Sequence, residues 1–305
     1  MTASGGPGGR PVVAPESAST GRLTLVAAGP GLPADDPVLR ILGNHRGTAV
    51  AAGWGPPLVA AITHTLAYAP GDCEAWLPIR AAVALGSVVQ ALTAAGEHGR
   101  QAAAELTEAV AATAVDIPIH GRLFLPAELP LTQWAPLLRR AMWSCAGPAA
   151  GTHLVVAAGP QLAPVVCRLL EPGDSLIATV RHPAEAVIEL TGSAVAGMRP
   201  AEAADFVEYQ LDQVARILAA AACPTLVVAM ENLVLSIDAE LTRLIAVTGL
   251  PDQADWCRNA RQRLPAGISC LPRWGHPAVR PHRTALTSLA AAWESATGVT
   301  WPREA

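Results

Sequence analysis

Short, continuous apolar runs separated by helical segments are the feature that most constrains this chain. Four such runs occupy residues 23–28, 154–158, 175–180 and 225–230. Strands that are buried on both faces have this continuous pattern, whereas half-exposed strands alternate apolar and polar residues. Segments with helical spacing follow at residues 37–44, 162–170, 200–222 and 238–249. This order predicts the α/β class, with a parallel sheet flanked by helices.

Composition excludes several functional classes. The 305 residues are 51% hydrophobic and 15% charged, with a formal net charge of −4, and all 21 basic residues are arginine. Without lysine, a Walker lysine or a Schiff-base lysine is impossible. The acidic balance argues against nucleic-acid binding, which needs a clustered basic excess. We therefore expect neither a nucleic-acid partner nor a polybasic membrane anchor.

Domain organisation and location are also predicted. Residues 1–21 are rich in Gly, Pro and Ser and lack the apolar segment of a signal peptide, so we expect a disordered tail. Residues 22–305 are expected to form a single domain, with a variable, mostly helical region at about 55–138. The six cysteines contain no C-x-x-C pair, which predicts reduced thiols and no metal site. We expect a soluble, cytoplasmic protein.

Two long motifs and two shorter ones carry a family resemblance. Residues 174–187 read DSLIATVRHPAEAV, and residues 226–251 read LVVAMENLVLSIDAELTRLIAVTGLP. Together with residues 23–45 and 155–170, they resemble in order and spacing the sulfotransferases that use 3′-phosphoadenosine 5′-phosphosulfate (PAPS). The resemblance implies a sulfotransferase-like, P-loop-type fold. It also implies that Arg181 binds the 3′-phosphate of PAPS.

The chain departs from this family where the phosphosulfate loop falls. Gly29 and Gly31 remain as cofactor-binding candidates, but the family's Arg-Ser-Gly-Thr-Thr positions fall on Leu32, Pro33, Ala34, Asp35 and Asp36. A phosphate cradle needs inward N–H groups, a cationic side chain and hydroxyls. Pro33 has no N–H, and two carboxylates disfavour an anion at this place. The family's lysine falls on Ala158 and its 3′-phosphate serine on Glu189.

Two hypotheses remain open for each of the charged candidates. Asp35 and Asp36 either cap the helix that begins at Pro37 or act as general acid and base, or bind a cationic substrate group. Arg181 either binds a nucleotide or pairs with Glu185 or Glu189, in which case the 3′-phosphate position is filled from within.

Three further candidate site residues lie between the two shorter motifs, residues 23–45 and 155–170. His64 lies in an apolar helical run with Tyr68 one turn later, and it is either a catalytic base or a hydrogen-bonded core residue. Trp54 and Tyr68, together with Glu189, are candidates to line the substrate pocket, and ordinary core packing is the alternative for the tryptophan.

The leading functional hypothesis is a repurposed sulfotransferase-like enzyme that modifies a small molecule in specialised metabolism, with no cofactor. Polar groups in a dry pocket can support cyclisation, elimination or proton transfer on an apolar or aromatic substrate. One alternative is a PAPS-dependent sulfotransferase with a divergent loop, and another is a non-catalytic scaffold of the same fold. A homodimer is compatible with each of them.

Overall fold

The computed structural model describes residues 21–30, 36–51, 54–67, 78–111, 131–147, 152–159, 166–193, 197–262, 264 and 269–302. The predicted tail therefore lies outside the described residues, apart from Gly21.

Five parallel strands form the sheet of the described chain. They are β1 (Arg22–Ala28), β2 (Thr48–Val50), β3 (His153–Ala158), β4 (Ser175–Val180) and β5 (Thr225–Ala229). Their spatial order is β2-β3-β1-β4-β5, and every neighbouring pair is parallel. The register places Thr24 of β1 opposite Val155 of β3 and Ser175 of β4. The four predicted strands are confirmed, and β2 is an addition.

Eleven α-helices accompany these strands in the described residues. They are α1 (Pro37–Gly43), α2 (Gly55–Ala67), α3 (Pro78–Ala94), α4 (Glu97–Ala111), α5 (Leu131–Ala146), α6 (Pro183–Gly192), α7 (Pro200–Ala220), α8 (Met230–Leu235), α9 (Ile237–Thr248), α10 (Ala254–Gln262) and α11 (Arg283–Thr297). The helix predicted over 162–170 is described only from residue 166, where it is a short 3₁₀ turn, Cys167–Leu169. The turn ends there because the Glu171 N–H bonds to the Asp174 carboxylate at 2.7 Å and directs the chain into β4.

Both faces of the sheet are buried, as continuous apolar strands require. On one face, Leu25, Val156 and neighbouring side chains pack against α2 to α5, while Val180 packs against α6, α7 and α11. On the other face, Val26 and Ile177 pack against α1, α9 and α10. The predicted α/β class, a parallel sheet flanked by helices, is confirmed.

Polar side chains fix the amino-terminal edge of the sheet. Asp174 forms a buried ion pair with Arg139 and accepts a hydrogen bond from the Leu23 N–H at 2.7 Å. At the end of α9, Gly249 has φ 67°, and an added Cβ would lie 2.1 Å from Nη1 of Arg22. The left-handed backbone at this position favours glycine and ends α9 there.

Among the described residues, no helix has both the length and the apolar character needed to cross a membrane.

Candidate functional site

Connections at the carboxyl ends of β1 and β4 create a crevice. The chain leaves β1 toward β2 at one edge of the sheet and leaves β4 toward β5 at the other edge. Open parallel sheets bind ligands outside the carboxyl ends of two neighbouring strands whose connections diverge in this way. Gly29 follows β1 at this point, and its N–H donates to the Thr179 carbonyl at 2.7 Å. An added Cβ would lie 2.8 Å from that carbonyl, so the approach requires glycine.

Asp36 lies at the β1 side of this crevice and is 2% exposed. Its Oδ1 accepts a hydrogen bond from the Val38 N–H at 2.8 Å, which caps α1 ahead of Pro37. Its Oδ2 is 2.5 Å from Oγ1 of Thr179, a residue of β4 with no exposed surface. Burial raises the pKa of Asp36 above its ordinary value, and the hydrogen bonds from Thr179 and Val38 offset this only partly. Asp36 thus caps α1 through Oδ1. Its hydrogen bond to Thr179 through Oδ2 is an additional contact that helix capping does not require.

Arg181 follows β4 directly, and three carboxylates surround its guanidinium. Nη1 is 3.2 Å from Glu189, Nη2 is 3.8 Å from Glu185, and Nε is 3.8 Å from Glu231. Arg181 is 6% exposed, Glu185 and Glu231 are fully buried, and the Glu189 side chain is half exposed. Both ion pairs expected as the alternative to nucleotide binding are therefore present. A third carboxylate, Glu231, was not expected there.

A second arginine closes the cluster from the C-terminal part of the chain. Arg273 donates to the Glu185 carboxylate through its backbone N–H at 2.8 Å and through Nη2 at 2.8 Å. The hydrogen bonds to Glu185 raise the pKa of Arg273 further. Two arginines and three carboxylates thus meet at the end of β4, and they compensate one another's charge within the protein.

Glu231 is the second residue of α8, which begins at Met230 immediately after β5. Its Oε1 accepts a hydrogen bond from the His182 N–H at 3.1 Å, and its Oε2 has no hydrogen-bond partner within the described residues. Burial raises the pKa of Glu231 to about 7; the backbone N–H groups and Arg181 oppose this effect, and Glu185 adds to it. This carboxyl therefore changes its charge near neutral pH.

The His182 side chain has a structural role at this edge, because it caps α6. Its Nδ1 accepts a hydrogen bond from the Ala184 N–H at 3.1 Å and so caps α6. The rings of Trp274 and Trp301 approach it edge-on, with centroids at 5.2 and 5.4 Å. Burial lowers the pKa of His182 to about 4, while Glu185 and Glu294 raise it by less. The neutral imidazole is the form that the cap requires.

The structure brings only part of the predicted site together. Gly29, Asp36, Arg181 and Glu189 lie around the ends of β1 and β4, with Glu189 reaching Arg181 from α6. Trp54 is half-buried and packs against the core cluster beneath α2 to α5.

Other predicted residues cannot be placed at the site. His64 lies in α2, but its side chain is outside the described part of the structure. Gly31, Asp35 and Tyr68 also lie outside the described residues. Their predicted roles therefore stay predictions.

Three residues of the site were not predicted to carry chemistry. Thr179 ends an apolar run, and a hydroxyl in such a run is a signal that points to the site only once the strand order is known. Glu231 lies within the second long motif, in the second position after β5, at the edge where open parallel sheets bind ligands. Arg273 binds Glu185, a partner 88 residues earlier in the chain, so no local sequence pattern indicates it.

Other parts of the described structure give weaker indications of a functional site. No group of three His, Cys, Asp or Glu side chains in the described ranges is arranged to hold a metal ion. Two surface grooves are present, one between α7 and α11 and one between α4 and α5. Neither is lined by Arg181 or Asp36, so we place the candidate site by the sheet topology and the side-chain chemistry.

Comparisons with known proteins give one structural likeness. No protein-family model and no curated protein matches the chain. Among solved structures, it is similar to a sulfotransferase domain from the curacin biosynthetic pathway, at 15% identity and a TM-score of 0.43. The match covers 92% of this chain and 99% of that domain. No family is assigned on this basis.

Proposed function

We propose that this chain is a sulfotransferase-like enzyme that modifies a small molecule at the carboxyl edge of its sheet without using PAPS. The observation that carries the proposal is the group of carboxylates around Arg181: Glu189 accepts a hydrogen bond from Nη1, and Glu185 and Glu231 each lie 3.8 Å from the guanidinium. In the resembled family, this arginine would hold the 3′-phosphate.

Electrostatics argue against an anion at this arginine. A phosphate on Arg181 would have to displace Glu189 and would then lie beside two carboxylates that have no exposed surface. Like charges within about 4–6 Å disfavour one another, most strongly where water is excluded. Asp36, a further carboxyl, stands where the family's loop ends in a hydroxyl. The residues present therefore do not fit PAPS, and no step is derived through it.

Proton transfer is the chemistry that the crevice favours. Burial gives Asp36 a raised pKa, so its neutral form persists to higher pH and can donate a proton to a substrate. The resulting carboxylate can take a proton from another substrate atom, which restores Asp36 and completes a cyclisation, elimination or isomerisation. His64 and Asp35 remain further acid–base candidates, with Trp54, Tyr68 and Glu189 proposed to line a pocket for an apolar or aromatic substrate. We keep a cytoplasmic location and a homodimer as parts of the proposal.

Each of the two alternatives has an observation in its favour. A PAPS-dependent sulfotransferase is favoured by the buried position of Arg181 directly after β4. A non-catalytic scaffold is favoured by the hydrogen bonds that occupy both carboxyl oxygens of Asp36.

Calorimetric titration with 3′-phosphoadenosine 5′-phosphate (PAP), the desulfated product of PAPS, separates the two enzyme hypotheses. At low salt we expect no binding heat from the wild type, from Arg181→Ala or from the control Arg261→Ala, which removes an exposed ion pair to Asp238. Binding by the wild type and by Arg261→Ala that disappears in Arg181→Ala would overturn the proposal and favour the sulfotransferase.

Product mass separates the enzyme from the scaffold. Small-molecule extracts supplemented with PAPS are incubated with wild type or with Asp36→Asn and compared by mass spectrometry. The proposal predicts a wild-type product whose mass is unchanged or lower by one water, and its loss in Asp36→Asn. A gain of SO₃ would indicate sulfation, and no wild-type product would favour the scaffold.

A further inference from the structure

Thr179 and Asp36 form a pair whose hydrogen bond can run in either direction. Oδ1 of Asp36 accepts from the Val38 N–H, a group that can only donate, so this oxygen is a poor place for a proton. Oδ2 faces the Thr179 hydroxyl, which can donate or accept. The Ala27 carbonyl lies 3.5 Å from the same hydroxyl and is a second acceptor for it.

These partners accommodate both protonation states of the carboxyl. When Asp36 is ionised, the Thr179 hydroxyl donates to Oδ2. When Asp36 is protonated, its proton sits on Oδ2 and is donated to Oγ1, and the hydroxyl hydrogen turns toward the Ala27 carbonyl. Rotation of one hydroxyl hydrogen is enough for this exchange, and no heavy atom has to move.

We infer that Thr179 is the positioning residue of this site: its hydroxyl fixes the Asp36 carboxyl at the crevice and directs its exchangeable proton to Oδ2. The inference rests on the proposed acid–base role of Asp36. It extends that role by naming the oxygen involved and the residue that controls it.

The surroundings of the pair support a dedicated arrangement. Thr179 has no exposed surface, and its carbonyl accepts the Gly29 N–H at 2.7 Å, so its backbone is held by the chain that leaves β1. Apolar side chains of the core that contains Val26 and Ile177 lie on the same face of the sheet. The backbone N–H of Leu39 and the charged side chain of Arg40, both on α1, also act on Asp36, and each lowers its pKa.

Carboxyl ¹³C NMR titration of the ligand-free protein tests the inference, with the Asp36 signal assigned by its loss in Asp36→Asn. Thr179→Val removes the hydroxyl at nearly constant shape, and Thr179→Ser keeps it. A hydrogen bond to a charged group contributes about 1.5–3 kcal/mol. Since the neutral acid also loses a hydrogen bond, of about 0.5–1.5 kcal/mol, we expect Thr179→Val to raise the Asp36 proton affinity about 5-fold to 10-fold, and Thr179→Ser to leave it within about twofold of the wild type.

Two results would overturn the inference. One is an Asp36 titration that Thr179→Val leaves unchanged, and the other is a shift in Thr179→Ser as large as in Thr179→Val. If Thr179→Val does not fold, the proton NMR spectrum of the wild type tests the inference instead. A downfield hydroxyl proton that is lost in Asp36→Asn supports the pair, and its absence at every pH contradicts it. PAP plays no part in these measurements, so the inference and the proposed function can fail separately.

Discussion

Replacing Glu231 with glutamine tests the electrostatics at the end of β4 most quantitatively. The amide keeps an oxygen that can accept the hydrogen bond from the His182 N–H. It removes the negative charge that Glu231 carries when it is ionised. Burial raises the pKa of Glu231 from 4.5 to about 7. At about 1.4 kcal/mol per pKa unit, this rise corresponds to about 3 kcal/mol.

The sign of the effect follows from proton linkage. A carboxyl whose pKa is raised in the folded state binds more protons there than in the unfolded chain. Its contribution to stability is complete below pH 4.5 and is lost as the pH rises through about 7. His182 acts in the opposite sense, because its pKa falls from 6.5 to about 4 on folding. Its contribution is complete above pH 6.5 and is lost as the pH falls toward 4.

These two opposite slopes cancel between about pH 4.5 and about pH 6.5 in the wild type. Glu231→Gln removes one of them, so the free energy of unfolding of the variant relative to the wild type should rise with pH across this window. Relative to the wild type, we expect almost no difference at about pH 4.5 and a gain of about 3 kcal/mol at about pH 8.

Urea denaturation at a series of pH values measures this difference as a shift of the midpoint. Glu189→Gln is the matched control, because it removes a half-exposed partner of the same arginine, and it should change the free energy of unfolding by less than about 1 kcal/mol. A difference between Glu231→Gln and wild type that stays constant with pH, or a loss of stability at about pH 8, would refute the reasoning.

Two further predictions concern stability away from the titrating carboxyl. Arg139→Met leaves the buried Asp174 carboxylate without its cation, and urea denaturation should show a loss of about 3–5 kcal/mol; a loss below about 1 kcal/mol contradicts this reading. Gly29→Ala forces a methyl group against the Thr179 carbonyl at 2.8 Å and should cost about 1–3 kcal/mol. Gly173→Ala meets no atom within 4 Å and is the control, so equal losses in the two variants would count against the close approach.

Most of the sheet follows from the sequence because buried parallel strands are continuous apolar runs. β2 does not, because Thr48–Val50 is only three residues long and half-buried, so it has no apolar run to detect. α11 was also missed, since the Pro- and Arg-rich segment before it suggested a loop. Its buried Leu286, Ala290 and Trp293 have helical spacing and could have identified it.

The site is predictable only where its partners are close in the chain. Glu185 and Glu189 follow Arg181 by one and two helical turns, and both ion pairs were foreseen as an alternative. Glu231 reaches the same place from β5, and Arg273 arrives 88 residues after its partner Glu185. These contacts depend on which strands are neighbours and on where the C-terminal segment crosses the sheet edge, and neither is encoded in local spacing.

We propose that the carboxylates around Arg181 exclude a nucleotide 3′-phosphate although this arginine itself is retained. The most direct measurement is PAP titration of the double variant Glu189→Gln/Glu231→Gln beside the wild type. Two of the three carboxylate charges are then removed, while Glu185 stays paired with Arg273. The account predicts no binding by the wild type, and measurable binding by the double variant that Arg181→Ala abolishes. Binding by the wild type, or no gain in a folded double variant, would contradict it.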